Sequence, residues 1–273
     1  MRGLWLLSLL LLVWAPEGAR AQDPDSLRAA LRLPVPPATP SLSVRRPAPA
    51  VGANSPTAFG AGFGDLFVGA SYAARARNVD AGDGTVAAGI GLGDPWRWVG
   101  VEVDVISFST IRSGWGNRMG VDLILHRILP GGFGVALGWE SLLQRGMTDG
   151  DRSRYAVVSK WWQLRESESA WFNSLVLSSG VGDGRFRAFA DWKEDRQTVN
   201  WFGSVALRVA GPLSVIADWT GQDLMLAGSV APFTRFPLVV SAGLADLTER
   251  AGDGARFVAT ASYSVDLRTI VRR

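Results

Sequence analysis

The alternation of apolar and polar residues changes character near residue 58. From there onward, short runs alternate between apolar and small or polar residues with a period of two, which is the side-chain period of a β-strand. In the stretch 99–106, for example, valine occupies every odd position. Clusters of glycine, aspartate and proline separate the runs. The pattern therefore predicts an all-β domain over 58–273.

The lengths of these runs favour one class of β-protein. Most are roughly ten residues long, and a tilted membrane-spanning strand needs about 9–11 residues, against about 5–6 in globular sheets. We count about twelve strands. They are 65–77, 84–93, 97–109, 116–129, 133–145, 152–165, 170–181, 197–210, 213–219, 223–232, 236–247 and 255–267. The expected fold is an antiparallel transmembrane β-barrel, and a soluble β-sandwich is the alternative.

The connections between the predicted strands also alternate in length. Short turns on one side and long loops on the other are typical of outer-membrane barrels, with the short turns in the periplasm. The short connections are 93–96, 130–132, 166–169, 211–212 and 233–235. The longer ones are 78–83, 110–115, 146–151, 182–196 and 249–254, with 220–222 as a short exception. An even number of strands places both chain ends in the periplasm.

The first 57 residues differ from the rest. A basic start is followed by the apolar run 4–15 and by Ala19-Arg20-Ala21, which together read as a signal peptide over 1–21, cleaved near Ala21. The proline-rich stretch 22–57 is expected to form a periplasmic tail or linker. Export and a barrel together predict the cell outer membrane as the location.

Composition supports this interpretation. The chain has 32 glycines and 12 tryptophans, which suits curved strands and aromatic belts at the two membrane interfaces. It has no cysteine and one histidine, His126, so thiolate and multi-histidine metal sites are excluded. The formal net charge of +3 is a weak indication of anionic lipid headgroups, and nucleic acid is not an expected partner.

Three stretches carry a resemblance to known proteins. They are Asn54-Ser55-Pro56-Thr57-Ala58-Phe59 with the glycine-rich segment after it, Ala217-Asp218-Trp219-Thr220-Gly221-Gln222-Asp223-Leu224, and Gly252-Asp253-Gly254-Ala255-Arg256-Phe257. With them, residues 58–273 resemble the bacterial outer-membrane β-barrel class and, more narrowly, a set of uncharacterised bacterial barrel proteins. The resemblance implies a fold and a location but no activity.

Charged residues within the strands are the candidate functional residues. A lysine or arginine facing lipid at the membrane midplane costs about 2–4 kcal/mol, so these side chains are expected to face the lumen. The candidate lumen-lining residues are Glu102, Asp104, Asp122, His126, Glu140, Lys160, Arg208, Asp218 and Arg256. They could line a polar pore, or they could form a salt-bridged plug that fills a narrow barrel.

The expected function is a small, porin-like channel or an envelope-structural protein. We predict no catalytic, cofactor-binding or metal-binding residues, and the expected partners are outer-membrane lipids, the barrel-assembly machinery and small solutes. One alternative is a lipase-like outer-membrane hydrolase that uses His126. Another is a surface binding protein whose outer loop 182–196 offers Arg185, Arg187, Trp192 and Lys193. The aspartate-glycine loops could bind calcium, or they could simply form turns.

Overall fold

Twelve antiparallel strands dominate the computed structural model, which describes residues 47–75, 81–146, 152–250 and 254–268. The strands are β1 Asp65–Ala73, β2 Asp83–Gly93, β3 Gly100–Ser107, β4 Met119–Leu129, β5 Phe133–Arg145, β6 Ser153–Gln163, β7 Ser174–Gly182, β8 Asn200–Ala210, β9 Leu213–Trp219, β10 Leu224–Val230, β11 Leu238–Ala245 and β12 Arg256–Asp266. A short helix, α1, covers Phe189–Lys193. No helix among the described residues is long and apolar enough to cross a membrane.

The strands form a closed barrel in sequence order. Each strand pairs with its neighbours in the chain, and β1 closes the sheet by pairing with β12 from Asp65↔Asp266 to Ala73↔Val258. Closure leaves no unpaired sheet edge. The predicted all-β, twelve-strand antiparallel barrel is therefore confirmed.

The two faces of the barrel differ in chemistry. Along β6, Tyr155, Val157 and Ser159 are buried inside, whereas Ala156 and Val158 are exposed on the outer wall. The same alternation puts large apolar side chains on the outside of most strands. Those exposed along the wall include Leu66, Val68, Val105, Val135, Leu137, Val158, Leu177, Val181, Val205, Val215, Leu226 and Leu244.

The two ends of the barrel have different connections. We call the end with turns 130–132 and 211–212 the short-turn end, and the end with loops 108–118 and 183–199 the long-loop end. At the short-turn end, the connections 164–173 and 231–237 are longer than predicted. Strand β11 begins after Pro237, which has no backbone N–H to donate to a neighbouring strand.

A bulge interrupts the β4–β5 pair. The register shifts between Val121 and Leu123, and Ser141 on the opposite strand has a φ of 53°. The Ser141 N–H donates to Oδ1 of Asp122 at 2.7 Å, which satisfies a donor that the bulge removes from the ladder.

Residues 47–63, called here the lumenal segment, lie inside the barrel. Of the stretch 22–57, which is predicted to form a periplasmic tail or linker, the residues from Ala50 to Ser55 contact inward-facing side chains of the wall. Alanine, glycine and proline dominate the segment, and the small alanines and glycines let its backbone approach the wall closely. The predicted signal peptide and residues 22–46 fall outside the described residues.

Candidate functional site: the occupied lumen

The lumenal segment enters the barrel and turns back. Near its start, the Ala50 N–H donates to the hydroxyl of Ser229, close to the end of β10 at the short-turn end. Its middle reaches Asp218, close to the long-loop end of β9. Its far end returns to the short-turn end, where the Phe63 N–H donates to the Gly93 carbonyl at 2.9 Å. Both ends of the segment therefore lie at the same end of the barrel.

Asp218 binds the turning point of the lumenal segment. Its carboxylate accepts the backbone N–H groups of Ala53, Asn54 and Ser55 at 3.0–3.2 Å. The Ser55 hydroxyl adds a fourth donor at 2.5 Å. Asp218 is 1% exposed, and hydrogen bonds from several donors are what a buried carboxylate requires.

The returning half of the segment is bound by three other wall residues. The Ala58 N–H donates to the Ser159 hydroxyl at 2.8 Å, and the Ala61 N–H donates to Oε2 of Glu102 at 2.5 Å. The ring nitrogen Nε2 of His126 lies 2.9 Å from the Ala61 carbonyl oxygen. The wall thus binds the backbone of the segment with its own polar side chains.

Arg185 joins the wall, a loop and the lumenal segment. It follows β7 in a short 3-10 turn that folds inward, and its guanidinium pairs with both oxygens of Glu140 at 2.5 and 2.7 Å. The same guanidinium donates to the Asn54 carbonyl at 3.1 Å. Partial burial opposes the charge, but the Glu140 carboxylate outweighs it and raises the pKa of Arg185, so the guanidinium stays protonated.

An aromatic cluster fills one side of the lumen. The rings of Phe186 and Phe202 stack with centroids 4.4 Å apart, and Tyr155 packs edge-on against both. Ala58 of the lumenal segment belongs to the same buried cluster. Side chains, rather than a channel, therefore occupy this half of the barrel.

Four carboxylates line the adjoining part of the wall, on β3, β4 and β5. We call this set, Glu102, Asp104, Asp122 and Glu140, the acidic face. Asp104 and Asp122 are direct cross-strand partners. Asp104 is 9% exposed, and its Oδ1 atom has no hydrogen-bond partner. Of the four, only Glu140 is paired with a cation in a described salt bridge.

The remaining basic candidates lie near the ends of the barrel. Arg256 faces inward at the long-loop end, where it pairs with the fully buried Asp223 at 2.9 Å. Arg208 lies near the short-turn end and donates twice to the Gly211 carbonyl. Neither contacts the lumenal segment in any described hydrogen bond.

Lys160 was expected to face the lumen, but it faces outward. It lies on the outer wall near the short-turn end, with Nζ 4.3 Å from the ring centroid of Phe133 and 5.5 Å from that of Trp162. Its ammonium also bonds to the Gly131 carbonyl. A lysine can occupy the outer wall here because a cation next to interfacial aromatic rings can reach water and headgroups.

Described residues of the three stretches that carry the resemblance contact one another inside the barrel. The first binds the second, because Ser55 donates to Asp218. The second binds the third, because Asp223 pairs with Arg256. These contacts give a structural reason for the motifs: they hold the lumenal segment and the loops at the long-loop end together.

Several site residues were not identified from the sequence. Ser159 and Ser55 are small polar residues with no distinctive spacing, and Phe202 could equally have faced lipid. Arg185 was assigned to a surface loop. The alternation of inward and outward side chains along β7 gives no sign that the chain turns inward just after the strand, at Gly184, where φ is +61°.

The structure also bears on the two alternative functions. His126 is 2% exposed inside the barrel, so it cannot contribute to a catalytic set on the outer wall. Of the four loop residues proposed for surface binding, Arg185 faces inward and Arg187 is 2% exposed, which leaves Lys193 exposed and Trp192 half-buried against Phe189.

No metal site is apparent in the part of the chain that the structure describes. The described ranges contain no group of three or more histidine, cysteine, aspartate or glutamate side chains placed to hold a metal ion. Asp83 and Asp183, from the aspartate-glycine loops, instead accept hydrogen bonds from neighbouring protein groups. Asp149, Asp151 and Asp253 fall outside the described residues.

In comparisons with known families and curated proteins, no family model and no curated protein matches the chain.

Proposed function

We propose that this chain is an outer-membrane β-barrel protein whose lumen is occupied by its own lumenal segment, and that in this state it has an envelope-structural role rather than that of an open channel. The observation that carries the proposal is the apolar outer wall of a closed barrel. In water, such a wall would expose a continuous hydrophobic surface, whereas in lipid it is the required one.

The distribution of charge on the outer wall supports a membrane location. Within the described strands β7 to β12, no outward-facing residue is charged. Outward charges on β4, β5 and β6 lie close to strand ends, as Arg127, Arg145, Arg154 and Lys160 do. This is the expected depth dependence, because a charged side chain costs most at the bilayer midplane and least at the interfaces.

Exposed aromatic rings flank the apolar wall at both ends. Their amphipathic character suits the headgroup region. At the short-turn end they include Trp98, Phe133, Trp162, Trp171, Phe233 and Phe236, and at the long-loop end Tyr72, Trp115, Trp201 and Phe257. The resemblance to bacterial barrel proteins agrees with this location, and barrel-assembly machinery would be an early partner.

The contents of the lumen favour the structural role over an open channel. Asp218, Glu102 and Ser159, which could have lined a pore, bind the backbone of the lumenal segment. The aromatic cluster of Tyr155, Phe186 and Phe202 fills further space. The hydrolase alternative lacks a histidine on the outer wall, and the surface-binding alternative retains few exposed cations.

The test is electrophoretic mobility of the detergent-extracted outer-membrane fraction with and without boiling. We expect the protein in this fraction and a shift in mobility on boiling, because a closed barrel resists unfolding by detergent. Recovery in the soluble periplasm, with no shift, would overturn the proposal and favour a soluble β-protein.

A further inference from the structure

We propose that the lumenal segment is a removable plug, and that its withdrawal opens a pore that prefers small cations to anions. This inference rests on the proposed membrane location. It deepens that proposal by adding a second state and by naming the class of solute.

The contacts of the segment are those of a docked ligand rather than of a strand. Residues 47–61 make no strand pairing with the barrel, and their amide groups bond to side-chain oxygens of Ser229, Asp218, Ser159 and Glu102. Both ends of the segment lie at the short-turn end. The segment can therefore leave through that end without breaking the sheet and without threading a chain terminus through the barrel.

Withdrawal would change the electrostatics of the lumen. Glu102 would lose the Ala61 amide, and Asp218 would lose all four donors that now surround its carboxylate. Both would then join Asp104, whose Oδ1 already has no partner inside the barrel. Carboxylates lining a pore attract cations and repel anions.

Arg185 and Arg256 do not offset this charge, and Arg208 lies away from it near the short-turn end. Arg185 would lose only the Asn54 carbonyl and would keep both bonds to Glu140. Arg256 remains paired with Asp223. The emptied lumen would therefore be acidic on the side of β3 and β4.

Solvent reaches part of the inner wall near the short-turn end. Ser262 and Ser264 face inward on β12, since their partners in β1 are the inward-facing Gly69 and Phe67, and yet both serines are exposed. From β12 the wall continues through β1 and β2 to the acidic face on β3. The aromatic cluster stays on the opposite wall and keeps the pore narrow, which limits it to small ions.

The chain allows a direct test because it contains no cysteine. A Cβ placed on Gly134 would lie 3.1 Å from the Cβ of Ala58, within a few tenths of an ångström of disulfide geometry. The pair Ala58→Cys with Gly134→Cys should lock the segment to β5 under oxidising conditions. Asp218→Asn should loosen the segment, because an amide nitrogen would face backbone donors.

Single-channel conductance in planar bilayers with a KCl gradient measures both parts of the proposal. Asp218→Asn should raise the open probability about tenfold or more over the unsubstituted chain. Adding the cysteine pair should silence Asp218→Asn until a reductant is supplied. The reversal potential of the open state should show a preference for K⁺ over Cl⁻. The double variant Glu102→Gln with Asp104→Asn should have a weaker preference for K⁺.

The matched control is Asp223→Asn, which changes a second buried carboxylate on the other side of the turn that joins β9 to β10. Asp223 pairs with Arg256 and accepts a hydrogen bond from the Thr220 hydroxyl, so the open probability should stay near that of the unsubstituted chain. Conductance through the oxidised lock, or anion preference in the open state, would overturn the proposal.

A second measurement does not depend on Asp218→Asn folding correctly. Ala58 is fully buried, so a single Ala58→Cys variant can react with a water-soluble maleimide only when the segment moves. We expect slow but complete labelling of the heat-modifiable barrel. No labelling over a day, with the heat shift retained, would show a fixed plug and overturn the inference alone. Loss of the heat shift in the unsubstituted chain would instead refute the proposed membrane location and the inference with it.

Discussion

At the scale of single residues, the lumen contains charges that differ in how they are compensated. Asp218 is satisfied by backbone amides, Glu140 by the guanidinium of Arg185, and Asp104 only in part. Removing one partner from a buried or partly buried charge leaves an uncompensated group, which costs more than the loss of an exposed ion pair. This difference can be measured with two arginines of this chain.

Arg185→Ala should lower the free energy of unfolding by about 1–3 kcal/mol, because it removes two bonds to Glu140 and one to the lumenal segment. Arg154→Ala is the control. Arg154 also binds a carboxylate through two nitrogens, but its side chain is 73% exposed, so the loss should be below about 1 kcal/mol. Urea unfolding in lipid vesicles would compare them, and equal losses would contradict the role of Arg185 in joining the wall to the lumenal segment.

Two glycines make a second matched pair. A Cβ on Gly89 would come within 2.0 Å of Oδ1 of Asp104 and 2.3 Å of the Phe67 ring, whereas a Cβ on Gly228 would meet nothing within 4 Å. Gly89→Ala should therefore cost about 1–3 kcal/mol of unfolding free energy through overpacking. Gly228→Ala should change it by less than about 0.5 kcal/mol. A neutral Gly89→Ala would show that the β2–β3 wall is looser than described.

At the scale of elements, β6 shows how the wall is divided between lipid and lumen. Val158 is exposed near the middle of the strand, and Lys160 is on the same face two residues closer to the short-turn end. Val158→Lys should lower the unfolding free energy in lipid vesicles by about 2–4 kcal/mol. Lys160→Leu should change it by less than about 1 kcal/mol, because the ammonium already lies at the interface. Similar effects at both positions would argue against a lipid-facing wall.

The sequence predicted the strands well because alternation is a local signal. In β3 the valines at 101, 103 and 105 share the outer face, and all twelve strands were found in order. Face assignment was less certain where both faces are apolar. Around Lys160 the chain reads Val157-Val158-Ser159-Lys160-Trp161-Trp162, so parity alone could not decide which side faces lipid, and Lys160 was placed inside.

The lumenal segment was beyond what a local pattern can show. Its alanines, glycines and prolines are equally typical of a linker, and nothing in residues 47–63 alternates. Its position depends on partners far along the chain, such as Asp218 for Ser55 and Ser159 for Ala58. The candidate list did contain Asp218, Glu102 and His126, but it could not show that they bind backbone groups of the same protein.

At the scale of the whole molecule, the apolar and polar surfaces of the barrel are exchanged relative to those of a soluble protein. The outer wall is apolar, and the interior is polar, with serines on many inward positions and the acidic face on β3 to β5. The lumenal segment satisfies part of this polar interior. A barrel of this kind makes physical sense with lipid outside, and its lumen then determines whether anything passes.

The measurement that tests the lipid-facing wall most directly uses single cysteines at residues 155–159 of β6, each carrying a nitroxide label, in reconstituted vesicles. The account predicts that labels at 156 and 158 collide readily with oxygen, which dissolves in lipid, and poorly with a water-soluble nickel reagent. Labels at 155, 157 and 159 should be sheltered from both. Nickel collisions at 156 and 158 as frequent as those of a label at the exposed loop residue Lys193 would place the wall in water and contradict the membrane assignment.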